Sequence, residues 1–440
     1  MKKTVSIALL AAFASLAVAV PLLARQPSKP VPINDLTLID GVMQIVEKGY
    51  VHPVSSRTLT VAALKGMLER LDPHSDYMDE AQFQKTKAEI AGRFGGIGIE
   101  ITQEKGVPKV VSPIDGTPAA EAGIEPGDLI VAVDKRSTQR VALDRIVDTL
   151  RGPPGSKVTL TILRGEEAPF DVTLTRRIIQ VKSVKAKLEQ GDIGYVRVSQ
   201  FADETAKDFR DAVNRMKSEA GGHLQGLVID LRDDPGGLLQ AAIDVAGDLV
   251  DGRTIVTTRG RNQKDTQVFK AAARGDLVPH TPVVVLINSA SASASEIVAG
   301  ALKDLHRATI MGTRSFGKGS VQTLIPLDGH GALRLTTALY YTPSGRSIQG
   351  QGIEPDIVVE APQNEQVANA LVTRENELPG ALQNGGSLGG AAGNESGVGT
   401  AGKGEDSPPI KASLIGTPQD SQLKAAIAFL QQHTTTGSGR

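Results

Sequence analysis

Five apolar residues in succession, Val283-Val284-Val285-Leu286-Ile287, run directly into the polar string Asn288-Ser-Ala-Ser-Ala-Ser-Ala-Ser-Glu296 and an amphipathic helical pattern. A strand that is apolar at every position has to be covered on both faces, which is the condition of a parallel sheet between other layers. The neighbouring segments keep a matching rhythm. Strands over 194–201, 226–231, 283–288 and 308–311 alternate with helices over 204–219, 238–250 and 296–305, and a strand pair follows over 333–341. In such an α/β sheet, ligands collect beyond the carboxyl ends of the strands. The serine-rich string therefore reaches a sheet edge suited to chemistry. The free N–H groups and positive dipole of a helix start lie beside it, fit to hold a developing oxyanion.

A serine hydroxyl is a weak nucleophile and needs a base. Downstream lies Phe316-Gly317-Lys318-Gly319-Ser320-Val321-Gln322. A lysine placed among apolar groups loses its proton more readily, because desolvation penalises the ammonium. Moving its pKa from roughly 10.4 to near 7 takes about 4 kcal/mol of differential solvation. The glycines flanking Lys318 let backbone pack close to it, and Gln322 stands four residues on to orient the amine. Simpler readings exist. Ser293-x-x-Glu296 also fits a capping box, in which the hydroxyl only caps the helix, and a lone lysine in a Gly-flanked loop is commonly surface charge. Gly312-x-x-x-x-Gly317-Lys318 nearly matches a phosphate-binding loop, but Gly319 stands where Ser or Thr belongs and a strand pattern follows. Gly385-Gly-Ser387-Leu-Gly389 matches a hydrolase elbow inside a Gly-rich tract without strand or helix. None of the seven histidines sits in a triad context or at metal-ligand spacing, and the absence of cysteine excludes disulfides and a thiol nucleophile.

The rest of the chain divides by composition. Lys2 and Lys3 precede an apolar run from Val5 to Ala24, with Ala17-Val18-Ala19 as a small-residue cleavage site. Residues 1–24 thus read as a signal peptide, or, left uncut, as a membrane anchor of about twenty residues. A helical region is expected over 34–92, a small α+β module over 93–178, the sheet domain over 179–361, a low-complexity linker over 362–419, and a C-terminal helix and tail over 420–440. A formal charge of −1 gives no global field for nucleic acid.

The serine string, the Thr313-Arg-Ser-Phe-Gly-Lys-Gly-Ser-Val-Gln322 segment and Leu231-Arg-Asp-Asp-Pro-Gly-Gly237 together resemble the carboxy-terminal-processing (tail-specific) peptidase family, over about residues 36–359. The resemblance implies an α/β fold: a ClpP/crotonase-like ββα core with an inserted PDZ (α+β) domain and an N-terminal helical region. It implies a Ser/Lys dyad. Aligning the family's nucleophile with the middle serine selects Ser293 over Ser291 and Ser295, with Lys318 as base and Gln322 as its support. The oxyanion hole would use the N–H of Ala294 and one from Gly236 or Gly237, leaving Glu296 and Asp304 outside the reacting groups. Ala290 stands where the family usually has Gly, and Asp233-Asp234 where it often has Asn, which puts two carboxylates near the site. The module over 93–178, with Glu121-Ala-Gly-Ile-Glu-Pro-Gly-Asp-Leu-Ile-Val131, resembles a PDZ domain. Gly96, Ile97, Gly98 and Ile99 would form its carboxylate-binding loop, the glycines letting N–H groups converge on a terminal carboxylate.

The implied activity is that of a serine endopeptidase that recognises exposed apolar C-termini and processes or degrades exported proteins. No metal or organic cofactor and no nucleic acid enter this reading. The location is the periplasm, at the inner membrane if the N-terminal segment is retained. A homo-oligomer or an activating adaptor would be the further partners. The alternative is a catalytically silent PDZ adaptor or chaperone of the envelope.

Overall fold

The computed structural model describes residues 33–104, 106–114, 116–180, 182–367, 372–383 and 408–435. The export segment at 1–24 and the Gly-rich tract with Ser387 lie outside them. The described chain falls into two compact units that divide between Ala63 and Leu64. The first holds the helix Ile33–Gly49 and the start of the helix Ser56–Glu69. Leu36, Leu38, Ile39, Val42 and Ile45 are exposed on it, and a hydrogen bond from Ser56 Oγ to Glu47 ties its two helices. No helix among the described residues is long and apolar enough to cross a membrane.

The second unit is built on a six-stranded sheet. Val184–Glu189 pairs antiparallel with Ile193–Val198, and Gly226–Asp230, Val283–Ile287, Thr309–Gly312 and Ile357–Val358 follow in parallel, each beside the last. Alternation along these strands sends side chains to two separate cores. Val196, Leu227, Ile229, Val283, Val285 and Ile287 pack against the helices Thr205–Glu219, Leu239–Gly247 and Ala294–Asp304. Tyr195, Val228, Val284, Leu286 and Met311 face the other way, onto Leu423, Ala426 and Leu430 of the helix Ser421–Thr435. The C-terminal helix is therefore the second cover that the all-apolar strand demanded.

One buried ion cluster fastens that cover. Arg232, fully buried, donates to Asp230 at 2.6 and 2.9 Å and to Asp420 at 2.6 and 3.0 Å. Asp420 also accepts from Leu423 N at 3.0 Å, capping the helix start. Removing one partner of a buried ion pair typically costs about 3–5 kcal/mol, because the other charge is left uncompensated. Asp420→Ala is accordingly expected to destabilise the protein by about 3 kcal/mol. Urea unfolding should show a lowered midpoint with an unchanged slope; a loss below about 1 kcal/mol would mean the helix is held elsewhere.

The second sheet is antiparallel. Ala332–Tyr341 is its spine, pairing with Ser320–Pro326, Thr254–Gly260 and Asp76–Met78. The expected strand pair over 333–341 is thus one long strand, and its partner is the strand that carries Gln322. Asp76–Met78 corrects the all-helical reading of 34–92: between the helices Ser56–Glu69 and Glu80–Ile90 the chain turns extended and buries Tyr77 and Met78 against this sheet. Three residues are too few for periodicity to reveal a strand.

Between these parts, Arg93–Gly96 and Arg177–Gln180 pair as the entry and exit of an inserted module. It is a small antiparallel sheet, from Ile99–Glu104 to Phe170–Thr175, with the helix Leu143–Leu150, around Ile97, Val110, Ile130, Leu160 and Ile162. Within the stretch read as a linker from 362, the chain returns to the sheet domain: Arg374 and Glu375 are buried. Arg374 donates to the carbonyls of Ser315 and Arg314, at 2.8 and 3.2 Å, and Glu375 N donates to Phe316 O at 3.2 Å. The pattern-poor sequence hid this strap because side chains and backbone groups, not an apolar face, hold it down.

Candidate active site

Three loops leave the carboxyl ends of three adjacent parallel strands: Leu231–Gly237 after Gly226–Asp230, Asn288–Ser293 after Val283–Ile287, and Thr313–Lys318 after Thr309–Gly312. Of the three central serines, Ser291 and Ser295 are fully buried. Their hydroxyls donate to Leu231 O at 2.8 Å and to Asp234 O at 3.0 Å. Ser293 differs. It holds the rare backbone conformation φ 55°, ψ −110°, and its hydroxyl makes no hydrogen bond to the helix start. A non-glycine residue in that region costs about 1–3 kcal/mol and persists only when its surroundings impose it. Capping is left to Glu296, whose carboxylate accepts from Ser293 N at 2.8 Å.

Glu296 is fully buried and organises the site. Its Oε2 accepts from Ser293 N and from Lys318 N, both at 2.8 Å. Its Oε1 accepts from Gly317 N at 2.7 Å and Ser315 Oγ at 2.5 Å. The backbones of Ser293 and Lys318 are therefore tied to one oxygen atom, and Phe316 N adds a bond to Ser291 O at 3.0 Å. Burial pushes the Glu296 carboxyl up to about 7, against the pull of Ser315 and the three backbone donors. Four donors around two oxygens suit the anion, because a protonated carboxyl would set a donor against a donor.

Lys318 is half-buried. Burial holds its ammonium below the usual lysine range; Glu375, Glu296 and Asp72 draw it upward and Arg334 pushes it further down. Its Nζ makes no hydrogen bond to Ser293 Oγ or to Gln322 in this structure. Gln322 spends its amide N–H groups on Ser320 Oγ at 3.0 Å and Thr336 Oγ1 at 3.2 Å. The flanking glycines serve backbone packing: a Cβ at Gly319 would lie 2.2 Å from Gln349 N.

Gly236 and Gly237 come up against the serine turn. A Cβ on Gly236 would lie 2.7 Å from Ala292 O, 2.8 Å from Ala294 N and 2.9 Å from Ser293 Cβ, so glycine is required. The N–H of Gly236 is already given to Asp234 Oδ1 at 2.8 Å. The N–H groups of Gly237 and Ala294 donate to no acceptor among the described residues. Asp304, by contrast, sits at the far end of its helix, bonded to Ser344 N.

Sequence reasoning missed part of this centre. Glu296 was visible as the last residue of a capping box and, by resemblance, as a residue outside the reacting groups. His74, Glu375 and Gln349 gave no signal at all. His74 Nε2 lies 2.8 and 3.0 Å from the Glu375 carboxylate, Gln349 Nε2 donates to Glu375 at 2.9 Å, and Gln349 Oε1 accepts from Gly319 N at 2.9 Å. These contacts brace the Lys318 loop from two distant parts of the chain.

In the inserted module a groove of about 110 Å³ opens between Gly96-Ile97-Gly98-Ile99 and the helix Leu143–Leu150, with Phe94, Val147, Leu150 and Arg151 on its walls. Gly98 has φ +79°, and a Cβ there would meet Thr117 at 2.3 Å. The N–H groups of Ile97 and Gly98 donate to no acceptor among the described residues, and Arg151 lies over the Phe94 ring at 4.8 Å. A larger cavity, about 620 Å³, lies at the opposite, amino-terminal ends of the strands. Its Lys303 and Arg307 are already paired with Asp356 and Asp276.

Three family models match the chain. The model of peptidase family S41 matches residues 192–359, that of the PDZ domain residues 109–164, and that of the activating protease CtpB N-terminal domain residues 20–82. A carboxy-terminal-processing protease of Bartonella bacilliformis is 50% identical over 353 residues, covering 80% of this chain and 81% of that protein. The chain belongs to peptidase family S41. As an S41 peptidase it is a serine-type enzyme of the carboxy-terminal-processing kind, with a PDZ domain and an α/β core. A carboxyl-terminal-processing protease of Synechocystis is 38% identical over 324 residues, 72% of this chain and 74% of that one. Among solved structures, a photosystem II D1 C-terminal processing protease is 30% identical, with 75% of this chain and 94% of that chain covered and a TM-score of 0.45.

Proposed function

We propose that this S41 peptidase cuts exported proteins with a Ser293/Lys318 dyad and recruits them by their apolar C-termini through the PDZ groove. The observation that carries the reading is the Ser293 hydroxyl, without a hydrogen bond among the described residues and on a strained turn, whose backbone shares one Glu296 oxygen with Lys318. Uncharged Lys318 takes the Ser293 proton as the hydroxyl attacks the scissile carbonyl. The resulting oxyanion is received by the N–H groups of Ala294 and Gly237, which have no competing acceptor among the described residues. Gly236, whose N–H is spent on Asp234, supports that turn instead. Lysine then returns the proton to the leaving amine, and water releases the acyl group by the same route. The amine and hydroxyl are not bonded here; in this reading they close on each other when substrate fills the cleft, as catalytic hydrogen bonds commonly do. Gln322 acts through its carbonyl oxygen, since its N–H groups are taken.

In the groove, the N–H groups of Ile97 and Gly98 receive the terminal carboxylate, and Ile99, Val147 and Leu150 take an apolar last side chain. The N-terminal pattern at Lys2–Ala24 supports export to the periplasm. An unstructured polypeptide ending in apolar residues, offered with a free or an amidated C-terminus, tests the recruitment. The free form should be cleaved with kcat/KM higher by about tenfold or more. Equal rates would remove the PDZ from recognition, and no cleavage of either would leave the silent adaptor as the better reading.

A further inference from the structure

Asp234 is a buried acid that the mechanism above does not use. Its residue is inaccessible to solvent. Oδ1 accepts the Gly236 N–H at 2.8 Å, whereas Oδ2 is buried without a hydrogen-bond partner among the described residues. Its backbone carbonyl accepts from Ala292 N and from Ser295 Oγ, both at 3.0 Å. One residue thus clasps the turn Gly236-Gly237 with its side chain and the serine turn with its main chain. A Cβ on Gly236 would already collide with Ala292, Ser293 and Ala294, so the two turns fit with no slack.

We propose that Asp234 is a positioning residue that holds the Gly236-Gly237 turn as a neutral carboxylic acid, and that loss of its proton on the alkaline side disarms the oxyanion-binding N–H pair. An oxygen without a partner is tolerated in a dry site far more readily on a neutral group than on a charged one. Burial pushes this carboxyl up to about 8, and the Gly236 N–H, Ser295 and Arg197 pull it back only in part. The charged groups facing it are Arg197, from the strand Ile193–Val198, and Asp230, from the next strand. Arg197 forms its ion pair with Asp230, at 3.9 Å, and Asp230 is held by Arg232. On its own loop, Asp233 is engaged by Asn288 Nδ2 at 2.7 Å. Arg197 Nη1, at 3.9 Å from Asp230, makes no hydrogen bond among the described residues. Once ionised, Asp234 is a buried anion with a single donor, and the pull of Arg197 then competes with the Gly236 N–H for its carboxylate.

The proposal rests on the serine–lysine reading of the site, and the test separates the two. Wild type, Asp234→Asn, Asp234→Ala and Ser293→Ala are compared on an unstructured substrate from pH 6 to pH 10, reading kcat and KM. Asparagine keeps the Oδ1 acceptor and cannot ionise, so it should match wild type at pH 7 within about threefold. The ratio of its kcat to that of wild type should climb with pH above about 8, approaching tenfold per unit, with KM unmoved. Alanine should lose activity at every pH. A ratio that stays flat in an active wild type overturns the role of Asp234 alone, and so does an alanine variant as active as wild type. If Ser293→Ala cleaves as fast as wild type, the serine–lysine reading fails and takes this proposal with it.

Discussion

Alanine at either Ser293 or Lys318 is expected to reduce kcat by about 10⁴-fold or more, with the affinity for a PDZ-binding peptide unchanged. Removing the hydroxyl leaves no nucleophile to acylate. Removing the amine leaves a hydroxyl whose proton has nowhere to go, since Glu296, the carboxylate bonded to the backbone of Ser293, accepts only N–H groups and the Ser315 hydroxyl. The two losses should not add, because both residues serve one step. Turnover by single and double variants, with peptide titration as the fold control, measures this. A Lys318→Ala enzyme within about tenfold of wild type would place the base elsewhere.

The second large effect belongs to Glu296→Gln. An amide has acceptor capacity on one atom only, so two of the four donors now converging on Glu296 would meet an N–H₂ group in either orientation. Each hydrogen bond to a charged group is worth about 1.5–3 kcal/mol. Losing two should lower kcat/KM by about 10²-fold or more, through misplacement of Ser293 against Lys318. The pH profile makes the assignment specific. Glu296, pushed up to about 7, has to be ionised to accept from all its donors, and Lys318 has to be uncharged to act as base. Both requirements fail as pH falls, so the acid limb of wild type should be steeper than a single deprotonation allows. In Glu296→Gln only the lysine remains on that limb, and the slope should drop to about one. An unchanged slope would show that Glu296 does not titrate in the working range.

Much of the sheet domain was legible because burial on both faces leaves a mark in sequence. Val283–Ile287 could be nothing but an inner strand, and the helices on one side of it follow from ordinary amphipathic spacing. The serine was harder. Three serines at alternate positions look alike in sequence, and resemblance was needed to prefer the middle one. The structure distinguishes them physically: Ser291 and Ser295 spend their hydroxyls on Leu231 O and Asp234 O. What escaped was everything held by polar contacts between remote segments. Asp76–Met78 is too short to show a period, and Arg374 and Glu375 sit in a stretch with no apolar face. The pairing of His74 with Glu375 bridges 301 positions, over which sequence spacing carries no information.

The strap at Arg374–Glu375 and the helix begun by Asp420 give the molecule a built-in order of completion. Every reacting group of the proposed dyad is in place by residue 322, yet the loop bearing Lys318 is braced by residues that a ribosome adds more than fifty positions later. The contacts that Arg374 and Glu375 make to that loop can therefore form only after the chain has been extended well past it.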